Sequence, residues 1–305
     1  MGRRKKGRDV SGWVILDKPQ GLSSNHALGR AKRMLNANKA GHAGTLDPMA
    51  TGVLPLAFGE ATKTIPFITD GTKGYAFTIL FGDSTDSLDA EGKITATSTK
   101  RPTAEATQAV LPGFIGQTLQ MPPIFSALHV NGERAYKLAR AGKEVVLEAR
   151  TVEISKLEIT GFEPEISASF EMRCAKGTYV RALARDICAK LGIEGHVNIL
   201  RRTRVGPFCQ NAAITLDELE EMVHKAPALS PVLPVMIALA DIPALVITFE
   251  QAVDLKQGRA ISAPTNLVAT DETVMVTKLA EQPVALVKFR EGQLCPFRVF
   301  HLNEE

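Results

Sequence analysis

Apolar residues change their spacing several times along this chain, and each change marks an element. Gly12 to Pro19, with the apolar run Trp13-Val14-Ile15-Leu16, reads as a short buried strand ended by the turn chemistry of Lys18-Pro19-Gln20-Gly21. Ser23 or Ser24 then caps a helix reaching about Leu35, with Leu28, Ala31 and Leu35 inward and Arg30, Lys32 and Arg33 outward. A glycine-rich loop, Gly41 to Gly52, follows. Tyr75, Phe77, Ile79 and Phe81 alternate onto one face of a strand, and Asp83 to Gly92 reads as an acidic turn region. Thr103 to Phe114 and Glu133 to Arg140 have helical spacing, the second stopped by Gly142. Phe170 to Cys174 is a strand leading into Lys176-Gly177. Thr178 then caps a helix with Leu183, Ile187, Cys188 and Leu191 inward, ending at Gly192. Val197 to Val205 returns as a strand, and Thr215 to Glu218 has the form of a capping box.

Strands and helices that alternate this irregularly predict an α+β domain around one mixed sheet. The Pro- and Ala-rich stretch from Ala226 to Ala244 reads as a junction. Beyond it, Leu245-Val246-Ile247, Val284 to Val287 and Phe297 to Leu302 predict a small β-rich unit. The expected division is a basic arm over 1–10, a main domain over 11–243 and the small domain over 244–305. A chain of 305 residues, 45% hydrophobic and 23% charged, has the composition of a soluble globular protein. Cys174, Cys188, Cys209 and Cys295 form no CxxC pair and have no histidine at ligand spacing, which argues against zinc or a disulfide framework and for a reducing compartment. Val232 to Phe249, the most apolar stretch, is broken by Pro234, Asp241 and Pro243, so no membrane span is expected. The expected location is the cytoplasm.

Charge changes this picture only once it is localised. Arg3, Arg4, Lys5, Lys6 and Arg8 outweigh the net charge of +3, so the remainder is net acidic. Such an arm is either a nucleic-acid contact or a solvated tail. Two further basic clusters lie at 26–46 and 173–204, the latter with eight Lys/Arg against Asp186 and Glu194. Three separated clusters fit a face that tracks phosphates, although each alone also fits an ordinary solvated helix face.

The chain has no GxGxxG, GxxxxGK[ST], HExxH or GxSxG, which removes most support for dinucleotide, nucleotide-driven and hydrolase readings. One dense constellation remains: Gly41-His42-Ala43-Gly44-Thr45-Leu46-Asp47-Pro48-Met49-Ala50-Thr51-Gly52. Its glycines allow close backbone approach to a ligand, and Pro48 restricts Asp47 to extended conformations. An Asp-Pro pair is also common turn punctuation, so the spacing alone leaves both readings open.

The whole string closely resembles the catalytic loop of TruB-type pseudouridine synthases. Val14 to Ser24 resembles the family's first motif. Pro122 to Leu128, with Ala135-Tyr136 and Ala139 to Gly142, resembles the middle signature, and Arg173 to Arg181 and Leu200-Arg201-Arg202 resemble the later ones. The resemblance covers about residues 10 to 225. It implies a mostly antiparallel central sheet with flanking helices, and the tail more loosely resembles a PUA-type RNA-binding domain. His129 departs from the family's usual Lys, and Phe81-Gly82 from its usual Leu-Gly.

By this resemblance the substrate is the uridine at position 55 in the T-arm of tRNA. The reaction breaks the N1–C1′ bond, turns the uracil and rejoins it through C5. No group enters or leaves, so no cofactor or metal is implied, nor an obligate protein partner; a monomer is expected. Asp47 would act at C1′ or C6, or assist glycal formation. Arg181 would pair with it and keep it ionised. A cation in a helix's first turn costs roughly 0.3–1 kcal/mol against the dipole, so a compensating anion is expected there. Tyr75 would stack on the flipped uracil with its phenol near the C5 proton. Leu200 would wall the base, Tyr179 falls in a matched motif of the same pocket, and His42 would enter the T-loop. Lys18 would support the pocket. Arg201, Arg202 and Lys176 are the expected RNA backbone contacts.

Overall fold

The computed structural model describes residues 7–302, apart from positions 127, 131, 144 and 226–229 and the side chain at 140. Most of the basic arm and part of the Pro/Ala junction therefore lie outside the described residues. Nine strands build the main sheet: β1 (Gly12–Lys18), β2 (Ala40–His42), β3 (Thr51–Phe58), β4 (Lys73–Phe81), β5 (Gly116–Gln120), β6 (Arg150–Glu163), β7 (Ser167–Cys174), β8 (Gly195–Val205) and β9 (Phe208–Cys209). Their order is β1-β3-β8-β4-β7-β6-β5, with β2 on β3 and β9 on β8. Only the β3–β8 pair is parallel, so the sheet is mixed and mostly antiparallel, in an α+β fold.

Neither face of β1 meets water. Val14 and Leu16 enter one apolar cluster, Trp13 and Ile15 another. A strand buried on both sides needs no polar alternation, which explains its continuous apolar run. On the first face, Ala27 and Ala31 of the Ser24–Met34 helix and Leu183 and Ile187 of the Val180–Leu191 helix pack against Leu54, Leu56, Phe77 and Ile79. Leu219 of the Leu216–Lys225 helix joins them. Phe77 stacks on Phe170 of β7 at 5.1 Å. Each burial of this kind contributes on the order of 1.5–3 kcal/mol.

The pattern reading stopped at Gly52 and missed β3. Pro55 disguises it, since proline rarely sits in a central strand. The Pro55 carbonyl accepts the Ala43 N–H on the side away from β1. β8 pairs with β3 only at Thr51 and Gly52, and β2 ends at His42 opposite Leu56, so the bond that Pro55 cannot donate falls just past the end of a short ladder. The 14-residue β6 was also missed; its alternation is broken by shifts of register at Ile154/Lys156 and Ile159/Gly161. The expected 133–140 helix is shorter: Glu133 and Arg134 pair with His129 and Val130 in a hairpin before the Ala135–Arg140 helix. Thr178 does not cap its helix. Val180 is the first helical residue, and the Thr178 hydroxyl donates to the Ala175 carbonyl. Gly192 ends that helix in the left-handed region, φ 67°, and Thr215 and Glu218 form the expected reciprocal box.

The C-terminal unit is a second sheet of β10 (Ala244–Val246), β11 (Ile261–Ser262), β12 (Val274–Leu279), β13 (Gln282–Arg290) and β14 (Gln293–Val299), ordered β10-β12-β13-β14-β11. It has its own cluster around Leu255, Met275 and Val287. Yet Val276, Leu286 and Phe300 pack with Trp13, Ala57 and Phe208 across the second face of the main sheet. Lys63 Nζ donates to the Val299 carbonyl at 2.5 Å, and the His301 N–H to Glu60 Oε2 at 2.7 Å. Separate sheets thus share one apolar seam.

Candidate active site

The loop between β2 and β3 is held by its carbonyls. Lys18, fully buried, donates from Nζ to Pro19, Leu22 and, at 3.2 Å, Pro48. Arg202, 1% exposed, donates to Val53 at 2.8 Å, Gly44 at 3.0 Å and Thr45 at 3.3 Å. The Ser24 hydroxyl accepts from the Leu46 N–H and donates to its carbonyl. Gly52 has φ +97°, and a Cβ there would lie 2.2 Å from the Arg202 carbonyl oxygen, so no larger residue fits. Two buried cations and one hydroxyl leave Asp47 little freedom.

Asp47 pairs with Arg181 at 2.9 Å. The anion expected near the first turn of that helix is therefore present, but it is not alone: Asp89, 4% exposed, pairs with the same guanidinium at 3.3 Å. Arg181 also donates to the carbonyls of Ser87 and Phe125, at 2.7 and 2.9 Å. Although 37% of the Asp47 side chain is accessible, its carboxyl lies deep in the site. Burial raises its pKa above the ordinary range, Arg181 pulls it back and Asp89 pushes it up again, with burial prevailing. The expectation that Arg181 would leave Asp47 with a lowered pKa is corrected by that balance.

Asp47, Tyr75, Arg181, Tyr179, Leu200 and Lys176 line one cavity of about 310 Å³, with Arg202 behind them. A second cavity of about 530 Å³ lies on the other side of Asp47 and is bordered by Asp86, Asp89, Glu91, Arg134 and Tyr136. Tyr75 and Arg202 are register partners on β4 and β8, so both project from the same face, and the phenol is within hydrogen-bonding reach of the guanidinium. Burial raises the Tyr75 and Tyr179 phenols above their ordinary pKa. Burial also lowers Lys18 to about 8. Leu200 is 6% exposed and packs in the first cluster as well as facing the cavity.

Three expected residues stand outside this wall. His42 ends β2 with its Nδ1 buried and without a hydrogen-bond partner among the described residues, and burial lowers its pKa. Lys18 acts from beneath the loop. Arg201 makes a two-pronged pair with Asp17 at 2.7 and 3.0 Å. Arg202 is a correction: a side chain this buried, with three of its five N–H donors held by loop and strand carbonyls, does not meet phosphate. The 173–204 cluster shrinks accordingly, since Arg181 is interior too and Lys176 and Arg185 hold Asp70 and Asp186. Pattern gave no sign of Asp89, the second partner of Arg181, or of Lys73 and Ser126, which also line the cavity of about 310 Å³. Asp89 sat inside an acidic stretch read as a turn, which gave no hint that its chain folds back onto Arg181.

Two family models match the chain: the TruB family pseudouridylate synthase N-terminal domain over 32–180 and the tRNA pseudouridylate synthase B C-terminal domain over 181–240. A curated tRNA pseudouridine synthase B from a Caulobacter species is 51% identical, spanning 99% of this chain and 100% of its own. The chain belongs to the TruB family of pseudouridylate synthases. Another relative of the same name, from Bradyrhizobium diazoefficiens, is 49% identical over 98% of this chain and 88% of its own. Among solved structures, an H/ACA RNP bound to a substrate RNA containing 2′-deoxyuridine shares the fold, with TM-score 0.74 at 22% identity over 99% of this chain and 92% of that one. The seam between the two family models, at 180/181, is no structural boundary in this TruB chain. It falls inside the Val180–Leu191 helix, and β8 beyond it lies between β3 and β4. As a family member the chain is an isomerase. Among the described residues no helix is long and apolar enough to cross a membrane.

Proposed function

We propose that this TruB-family chain converts uridine to pseudouridine at position 55 in the T-arm of tRNA, with Asp47 as the reacting carboxylate. The relatives named tRNA pseudouridine synthase B support tRNA as the substrate. The observation that carries the mechanism is a carboxylate paired with Arg181 at 2.9 Å that still faces a cavity of about 310 Å³. A stacked uridine hides its C1′ and C5, so the base must flip into that cavity at a cost of a few kcal/mol. Stacking on Tyr75 and contact with Leu200 offset part of that cost. Asp47 attacks or assists, the uracil detaches and turns without leaving, and rejoins through C5. Tyr179 borders the same space, and His42, outside the cavity wall, enters the T-loop. Lys176 and Arg201 meet the RNA backbone once each exchanges its present carboxylate, Asp70 or Asp17, for phosphate. The unit over 244–305 adds RNA contact as a PUA-like domain, and the chain works as a monomer in the cytoplasm.

The test is site-resolved. A tRNA transcript carrying tritium at C5 of its uridines is incubated with excess protein, and the product is mapped. Release equal to one uridine, mapped to position 55, is expected; modification elsewhere, or of rRNA in its place, rejects the assignment.

A further inference from the structure

We propose that Arg202 is a positioning residue for the Tyr75 phenol, fixing its oxygen and supplying the counter-charge while a proton passes from C5 to N1 of the turned base. The inference rests on Tyr75 being the proton carrier of the proposed reaction. It starts from register. Tyr75 and Arg202 face each other on adjacent strands at the centre of the sheet. The guanidinium can rotate little, because Val53, Gly44 and Thr45 hold three of its five N–H donors. What it presents to the phenol is a fixed cation, at 1% exposure, on the wall shared with Asp47.

The chemistry needs such a group. After the glycosidic bond breaks, the electron pair stays on the uracil and is centred on N1. When C5 bonds to C1′, the C5–H bond must break and N1 must gain a proton. A neutral Tyr75 can do both once C5 has bonded to C1′ and left a C6=N1 double bond: its O–H proton goes to N1, and the phenolate then takes the C5 proton as the C5–H bonding pair restores C5=C6 and the C6=N1 pair returns to N1. The phenol ends as it began. In between it is an anion in a buried pocket, a species that costs much unless an opposite charge stands beside it. Arg202 stands there, while Arg181 is already shared by Asp47 and Asp89. The same guanidinium faces Tyr75 across the strand pair and holds the Gly44 and Thr45 carbonyls, so the oxygen of Tyr75 and the loop carrying Asp47 keep one frame.

The experiment compares wild type with Arg202→Lys on T-arm RNA bearing uridine or 5-deuterouridine, under single turnover. Lysine keeps the charge but cannot hold three carbonyls and the phenol together. The expected result is a rate slower on the order of a hundredfold, with a primary deuterium isotope effect larger than in wild type. A slower rate with an unchanged isotope effect overturns the proposal and leaves Arg202 as a support of the loop alone. Tyr75→Phe run in parallel separates the failures: wild-type turnover there removes Tyr75 itself. If Arg202→Lys does not fold, 15N-arginine spectra decide. The slowly exchanging Arg202 Nη signals should move between wild type and Tyr75→Phe; signals that stay in place overturn the proposal.

Discussion

Asp47 and Asp89 share one guanidinium and differ in nearly everything else. Asp89 is 4% exposed, and its Oδ1 accepts from the Ser87 hydroxyl and the Glu91 N–H. Its charge is paired through Oδ2, and its other oxygen has two donors. Asp47 has the same cation at a shorter distance, but its remaining face opens into two cavities. The turn from 83 to 92 is built around its carboxylate, whereas the 43–50 loop is built to hold a carboxylate without satisfying it. A buried acid with all its partners stabilises a fold; one held rigidly with lone pairs unspent is available for chemistry.

The largest perturbation of this contrast is Arg181→Met. It leaves both carboxylates without their cation and should cost about 3–5 kcal/mol in chemical denaturation, with activity lost. A stable Arg181→Met protein would mean that the two acids do not depend on one charge. Asp89→Asn comes next. It removes a satisfied buried anion and should destabilise by about 1–3 kcal/mol, read from the urea midpoint. Equal stability would place Asp89 with Asp47 among the unsatisfied. The smallest effect is in pH. In the proposed reaction Asp47 acts ionised, and burial raises its pKa. The acid limb of the single-turnover rate should therefore lie above the 3.8 of an ordinary aspartate. Stability has the opposite slope. A native pKa above the unfolded one means the folded state holds more protons in that window, so stability falls as pH rises through it. The wild-type melting temperature should lose ground to that of Asp47→Asn across the same interval. A limb at or below the ordinary value would place Arg181's attraction above burial.

Much of this was legible before any coordinates. The Gly41–Gly52 string is marked by its family resemblance, while the Tyr75 face of β4 and the Val180–Leu191 helix follow from local pattern, and local pattern survives folding when one face is buried. What was not legible depended on contacts distant in sequence. Nothing near Asp89 announces Arg181, 92 positions away, and nothing in Arg201-Arg202 reveals that one of the two arginines is solvent-facing and the other interior. Neighbours on a strand point to opposite faces, so the pair had to split, but only the register with Tyr75 says which way. Pro55 hid β3 because only the fold shows that its missing N–H falls where the short β2 ladder ends. The apolar seam under Trp13 joins residues more than 200 positions apart, which no window along the chain can detect.

Asp47→Asn tests the central claim most directly, because it keeps shape and removes charge and nucleophilicity. Tritium release from a C5-labelled T-arm hairpin should be measured under enzyme excess, beside RNA affinity and a thermal melt at pH 7. The account predicts no detectable release, affinity near wild type and a melting temperature equal to or above wild type, since an unsatisfied charge has been removed and Asp89 still holds Arg181. Release near the wild-type rate, from a folded variant that binds RNA, would contradict it.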